Sequence, residues 1–456
     1  MELLEERSLL STSRIGTITY LDEVGAQRIY AFARSRSDHL VVNYWDGNAW
    51  HWADQGTPPG VSLGGDPSAI TYRDATNHQR IYVFNRGSDG QLYVNYWDGF
   101  QWRWADQGTP PGVSIRVTPG TITYQDGGGH QRIYAFMWAT DGNMYVNYWD
   151  GSAWHWANQG TPPTTNVAGS PGVITYQDGA GVRRIYAFVR GNDRHLYVNY
   201  WDGAAWHWAD QGAPPSTGVA FQSDPGVVTY RQGTNPQRIY AFVNGDSGHL
   251  FVNYWDGSRW NWADQGSPQS SFVIDTASVL TYQDGGVQRI YAFDSGQNGH
   301  LFVNYWDGGS WHWADQGTPP GTVMAGDPGA ITYRDAFGHQ RIYAFTWGSD
   351  GMGFPGHLFV DYWDGFQWRW ADQGAPPGSS MSPAGTHPAA DGKPGALLLV
   401  DMALAHGDTQ ADPARRQAAD SHCSAPSRRL MLQPLGLLSA AELDVLAANL
   451  LDPLQA

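Results

Sequence analysis

Tryptophan and arginine are the residues of this chain with chemistry to offer, and both recur at fixed spacing. A block reading WxWADQG, with one ANQG variant, supplies Trp50 and Trp52, Trp102 and Trp104, Trp154 and Trp156, and Trp206 and Trp208. It supplies Trp260 and Trp262, Trp311 and Trp313, and Trp368 and Trp370 as well. A second block, QRIY or once RRIY, supplies Arg28, Arg80, Arg132, Arg184, Arg238, Arg289 and Arg341. On a strand, two rings spaced two residues apart lie on one face. An exposed indole offers a flat apolar platform to the C–H face of a sugar. A guanidinium beside it can stack on the ring or donate paired hydrogen bonds to vicinal hydroxyls. Each residue type also has a structural use. Indoles can fill the wedge between packed sheets, and an arginine can bridge to an aspartate on a neighbouring strand. The residues alone leave both uses open.

Other chemistries fit poorly. An active site needs singular residues converging on one place, whereas the polar groups here recur with the repeat. No carboxylate pair stands out for glycoside hydrolysis, and no HExxH, GxSxG or phosphate-binding glycine loop is visible. The histidines lack ligand spacing, and SDG and TDG turns lack the alternating acids of a calcium loop, so neither metal nor cofactor is expected. A net charge of −16 argues against nucleic-acid or anionic-membrane partners, which demand a basic surface.

The elements that position these residues are short. YWDG stands at Tyr44–Gly47, Tyr96–Gly99, Tyr148–Gly151, Tyr200–Gly203, Tyr254–Gly257, Tyr305–Gly308 and Tyr362–Gly365. Around each copy lie four blocks, of the kinds xITY, QRIYAF, HLYVNYW and WxWADQG. All are rich in β-branched and aromatic residues and of strand length. Asp-Gly between the last two blocks is a strong hairpin signal. Four strands in about 50 residues, seven times over, predict an all-β fold, a seven-bladed β-propeller of four-stranded antiparallel blades. The longest connection follows ADQG, as in Thr57–Ala69, which makes xITY the inner strand and WxW the outer one. On that cut the first and last blades are each complete, and the ring closes by packing without an exchanged strand.

The propeller is expected over 15–376, after an N-terminal extension at 1–14. Residues 377–456 read as a linker and a partly disordered tail, with a short helix near 439–451. One cysteine, Cys423, gives no internal disulfide. MELLEERSLL lacks the form of a secretory signal, and no apolar run approaches a membrane span. The expectation is a soluble protein made in the cytoplasm, any release following a route without a cleavable signal.

QRIYAF, HLYVNYWDG and WxWADQG in this order, repeat length and copy number resemble the bacterial seven-bladed β-propeller lectins typified by the Photorhabdus lectins. The resemblance covers about residues 15–376. It implies sugar sites between consecutive blades, fucosides and their O-methylated forms as characteristic ligands, no metal or cofactor, and a homo-oligomer in several members. By that implication the WxW tryptophans and the QRIY arginines named above are the candidate ligand-binding residues of a non-catalytic, multivalent lectin. The rival classes are a protein-interaction propeller and a glycan-active enzyme.

Overall fold

The computed structural model describes residues 14–377, apart from 23, 215–222, 234 and 350–354. The linker and helix expected beyond 377 lie outside the described residues. The chain folds into seven four-stranded antiparallel sheets, each built from four strands consecutive in sequence. In blade 1 these are β1 (Gly16–Leu21), β2 (Gln27–Arg34), β3 (Leu40–Trp45) and β4 (Trp50–Gly56). Blades 2 to 7 span 68–108, 120–160, 167–210, 226–264, 273–315 and 323–372. First strands of successive blades neighbour one another around the axis, and those of blades 7 and 1 do the same, so the ring closes by packing. Among the described residues no helix is long and apolar enough to cross a membrane.

A sheet of alternating residues has two faces, and in a ring both must be covered. Register divides blade 1 accordingly. Ile29, Ala31, Asn43, Trp45, Trp50 and Trp52 share the face toward blade 7. Arg28, Tyr30, Phe32, Tyr44 and His51 share the face toward blade 2. Seven apolar clusters fill the seven junctions. At the centre of each lies the phenylalanine of the QRIYAF block, fully buried in every blade. Burying each such ring contributes roughly 1.5–3 kcal/mol.

Near the axis the inner strands approach closely. A Cβ at Gly120 or Gly172 would collide with the carbonyl oxygen of Pro171 or Pro225 on the next blade, so these positions exclude side chains. Blade 2 has Ser68 instead, whose hydroxyl meets that of Thr121 at 2.7 Å. At the same mouth of the channel Arg14 reaches Asp327 and Asp224, at 3.4 and 3.6 Å.

The Asp-Gly hairpin differs in detail from a two-residue turn. Trp45 pairs with Trp50, which leaves a four-residue loop. Asp46 caps it, its Oδ1 accepting from the amides of Asn48 and Ala49 at 2.8 Å, and Gly47 takes a φ of 100°. These amides, followed by His51, hold the Asp46 carboxyl down at about 2.

Candidate functional site

Each junction opens at the rim formed by the YWDG hairpin and the loop after the first strand. From one blade come the QRIY arginine and tyrosine. From the next come the paired tryptophans of YWDG and WxW. At the junction of blades 2 and 3, for example, Tyr72 lies beside Tyr82 edge to face, at 5.9 Å, and Tyr82 stacks on Tyr96 at 5.7 Å. Across the gap, Trp149 and Trp154 sit with centroids 5.6 Å apart, and Trp149 Nε1 donates to the Tyr72 hydroxyl at 3.2 Å. The same bond recurs from Trp306 to Tyr230. Burial, reinforced by neighbouring tyrosines, pushes the hydroxyls of Tyr30, Tyr82, Tyr134 and Tyr343 up to about 12. They stay neutral hydrogen-bonding groups at any physiological pH.

The arginines lie on this gap, and most are already paired. Arg28 meets Asp22 at 2.6 Å, Arg80 meets Asp74 at 2.8 Å and Arg132 meets Asp126 at 2.7 Å. Arg184 meets Asp178 at 2.7 Å, Arg289 meets Asp284 at 2.8 Å and Arg341 meets Asp335 at 3.0 Å. In blades 1, 2, 3 and 7 the arginine's Nη1 also fills the space where the YWDG glycine would carry a Cβ, so only glycine fits there. The bridge leaves these guanidinium groups fixed, with roughly a fifth to a quarter of the side chain exposed. Burial raises the Asp74, Asp126, Asp178 and Asp335 carboxyls, but the hydrogen bonds and charge they receive outweigh it and hold them below the usual range. Arg238 stands apart, with Gln232 where the other blades have aspartate.

Both WxW indoles turn toward the preceding blade and are half-buried, but their roles differ. The first packs edge-on against the buried phenylalanine there, as Trp102 does on Phe32, Trp206 on Phe136 and Trp260 on Phe188, at 5.5–5.9 Å. Trp50, Trp154, Trp311 and Trp368 meet Phe345, Phe84, Phe242 and Phe293 in the same way. The second is a latch. Trp104 Nε1 donates to the carbonyl of Gln55, Trp156 to Gln107, Trp208 to Gln159 and Trp262 to Gln211, at 2.7–2.9 Å. Trp313, Trp370 and Trp52 do so to Gln265, Gln316 and Gln373. The first indole thus stands nearer the arginine rim, and the second lies deeper along the strand toward the opposite rim.

The middle residue of WxW faces the other way. His51, His155, His207 and His312 each bond the hairpin aspartate at 2.6–2.8 Å, and Arg103 and Arg369 do the same. At the opposite rim the ADQG aspartate caps its own turn, with Gly56 N donating to Asp54 at 2.7 Å. Asn158 makes the same bond in blade 3. Among the described residues no group of three or more His, Cys, Asp or Glu is placed to hold a metal ion.

Sequence reasoning passed over two contributors. The YWDG tryptophan, Trp45 and its copies, pairs with the first WxW indole at 5.6–5.8 Å and shares its gap. The tyrosines of xITY and QRIY line the same gap. Their signal was the alternation itself, since Tyr30 is two residues from Arg28 and so shares its face.

No family model matches the chain, and no curated protein does. Among solved structures the chain is similar to the BP39L lectin from Burkholderia pseudomallei, with a TM-score of 0.60 and 18% identity, over 80% of this chain and 99% of that one. It is also similar to an Aleuria aurantia lectin variant in complex with alpha-methyl-L-fucoside, with a TM-score of 0.46 and 17% identity, over 68% of this chain and 97% of that one. At this identity the likeness to BP39L establishes the propeller fold.

Proposed function

We propose that the protein is a non-catalytic, multivalent carbohydrate-binding lectin of the kind typified by the Photorhabdus lectins. It takes fucose-type saccharides, O-methylated forms included, in the gaps between blades and without metal. One observation carries the reading. The same partly exposed arrangement of indole pair, tyrosines and fixed arginine is built at successive junctions, where apolar packing alone would need no guanidinium. The first WxW indole and its YWDG partner form the apolar wall, and the arginine and neutral tyrosine hydroxyls face the sugar hydroxyls. The second WxW indole holds the blades together. The structural likeness to a protein named a lectin accords with this.

A single shallow site binds weakly, at about millimolar to micromolar Kd. Several on one rigid ring raise avidity by roughly 10²- to 10⁴-fold on a glycan surface. The test is red-cell agglutination inhibited by methyl fucoside, together with a glycan array. Chelator leaves binding intact. An array blank for fucosides at high protein concentration sinks the proposal. One observation favours a protein-interaction propeller instead: Phe100, Phe337 and Phe366 project into solvent, 86–90% exposed. Agglutination that free sugar leaves untouched would support that rival.

A further inference from the structure

Blade 5 breaks the pattern at one charged position. Six blades place an aspartate six or five residues before the QRIY arginine and close an ion pair of 2.6–3.0 Å with it. Blade 5 has Gln232 there, and no residue from Arg231 to Arg238 is acidic. Arg238 instead lies beside the Tyr240 hydroxyl. A second observation is independent of the first. Of the seven hairpin glycines, Gly257 alone would meet nothing within 4 Å if it carried a Cβ, whereas in four blades the arginine fills that space and in two a valine borders it. The guanidinium has moved off the hairpin, and room is left beside it.

The surroundings suit an anion. Arg231, at the end of the first strand, is exposed and adds a second positive charge to the loop. The nearby Asp256 carboxylate is occupied by its own turn, with Oδ1 accepting from Ser258 and Arg259 and Oδ2 from Asn261. Across the gap lie Trp306, which donates to Tyr230, and Trp311, 5.7 Å from Phe242. The indole wall is therefore the same as at the other junctions. Elsewhere the paired aspartate takes up the guanidinium fork and repels negative charge, in a protein whose net charge is already −16.

We infer that the junction of blades 5 and 6 is a distinct site for an anionic saccharide, its carboxylate or sulfate held by Arg238. A guanidinium matches either group with two parallel hydrogen bonds. The inference rests on the lectin reading and deepens it at one junction.

Calorimetry separates the two. The probes are methyl glucuronide against methyl glucoside, galactose 6-sulfate against galactose, inorganic sulfate, and methyl fucoside. The wild-type chain should bind at least one acidic sugar at one site, roughly tenfold or more tighter than its neutral parent. Gln232→Asp, which installs the residue six other blades carry, should erase that difference while methyl fucoside titrates as before. Arg238→Gln should erase it too. Equal affinity for acid and neutral parent in both pairs overturns the inference, as does a preference that survives in either variant. Inorganic sulfate binding as tightly as the sulfated sugar overturns the saccharide part. A protein that binds neither fucoside nor acid overturns the lectin reading itself.

Discussion

The NYW block carries asparagine in six blades and Asp361 in the seventh. Each asparagine is buried and points its amide at the carbonyl of the middle WxW residue, as Asn43 does to His51 and Asn199 to His207 at 3.4 Å. Asp361 is equally buried, and neither carboxyl oxygen has a partner. Burial raises its pKa to about 7. The folded protein therefore holds this proton more tightly than the unfolded chain. The cost is absent below about pH 4, grows as pH rises through about 7, and is constant above. Asp361→Asn should stabilise the protein by about 2–4 kcal/mol at pH 8 and very little at pH 4, by urea denaturation. Equal gains at the two pH values would refute this account. The indoles make a second test. Trp208→Phe keeps an aromatic ring but loses the donor to Gln159, so about 0.5–1.5 kcal/mol of stability should go while the number of sugar sites stays the same. Trp206→Ala should instead remove one site from the calorimetric stoichiometry. A Trp206 variant with full stoichiometry rules that indole out as a platform.

Adjacent sheets are joined by a second latch, made by the glutamine of QRIY. Its Oε1 accepts the amide at the end of the preceding blade's first strand: Leu21 to Gln79, Gln177 to Gln237, Arg231 to Gln288 and Gln283 to Gln340, at 2.6–2.8 Å. Arg73 to Gln131 and Arg334 to Gln27 are of the same kind. The junction of blades 3 and 4 has Arg183 in place of glutamine, and Arg183 lines, with Asp74, Gln125 and Arg132, a cavity of about 660 Å³ that runs across the rims of blades 2, 3 and 4. Arg183→Gln should restore the bond. Amide exchange at Gln125 should then slow, with a gain of roughly 0.5–1.5 kcal/mol. Unchanged exchange at Gln125 would mean that the glutamine does not join the sheets. Strand count, order and the cut between blades were legible because block length, alternation and the long ADQG loops each carry a residue-type signature. The bridge of Arg80 to Asp74 has a trace in a spacing of six that five blades keep, but residue types alone left a bridge and a sugar-facing role equally open. The tryptophan latches were not legible, because a backbone carbonyl such as that of Gln55 leaves no mark on the sequence. Nor could alternation say which neighbour a face meets, since that follows from the direction in which the ring is wound.

Over the whole ring, the last sheet meets the first through the same kinds of contact as the other junctions make. Trp52 donates to Gln373, Arg334 donates to Gln27, and Trp50 packs on Phe345. A chain ending at Gly378 keeps every described strand, and should stay folded and bind the same saccharides. Aggregation of that chain would show that the residues removed protect propeller surface. Because the seam is made of the same parts as the other junctions, the point at which translation begins is arbitrary to the finished ring. A circular permutant opened in the loop at 57–67, with the original ends linked, should therefore match the parent in melting temperature and sugar stoichiometry. The same equivalence bears on ancestry. Each blade is one contiguous stretch of coding sequence that joins its neighbours on either side by fittings of the same kind. Duplication or loss of a whole blade's worth of gene then changes the circumference without breaking a strand, and copies can drift one at a time, as the fifth has done at Gln232.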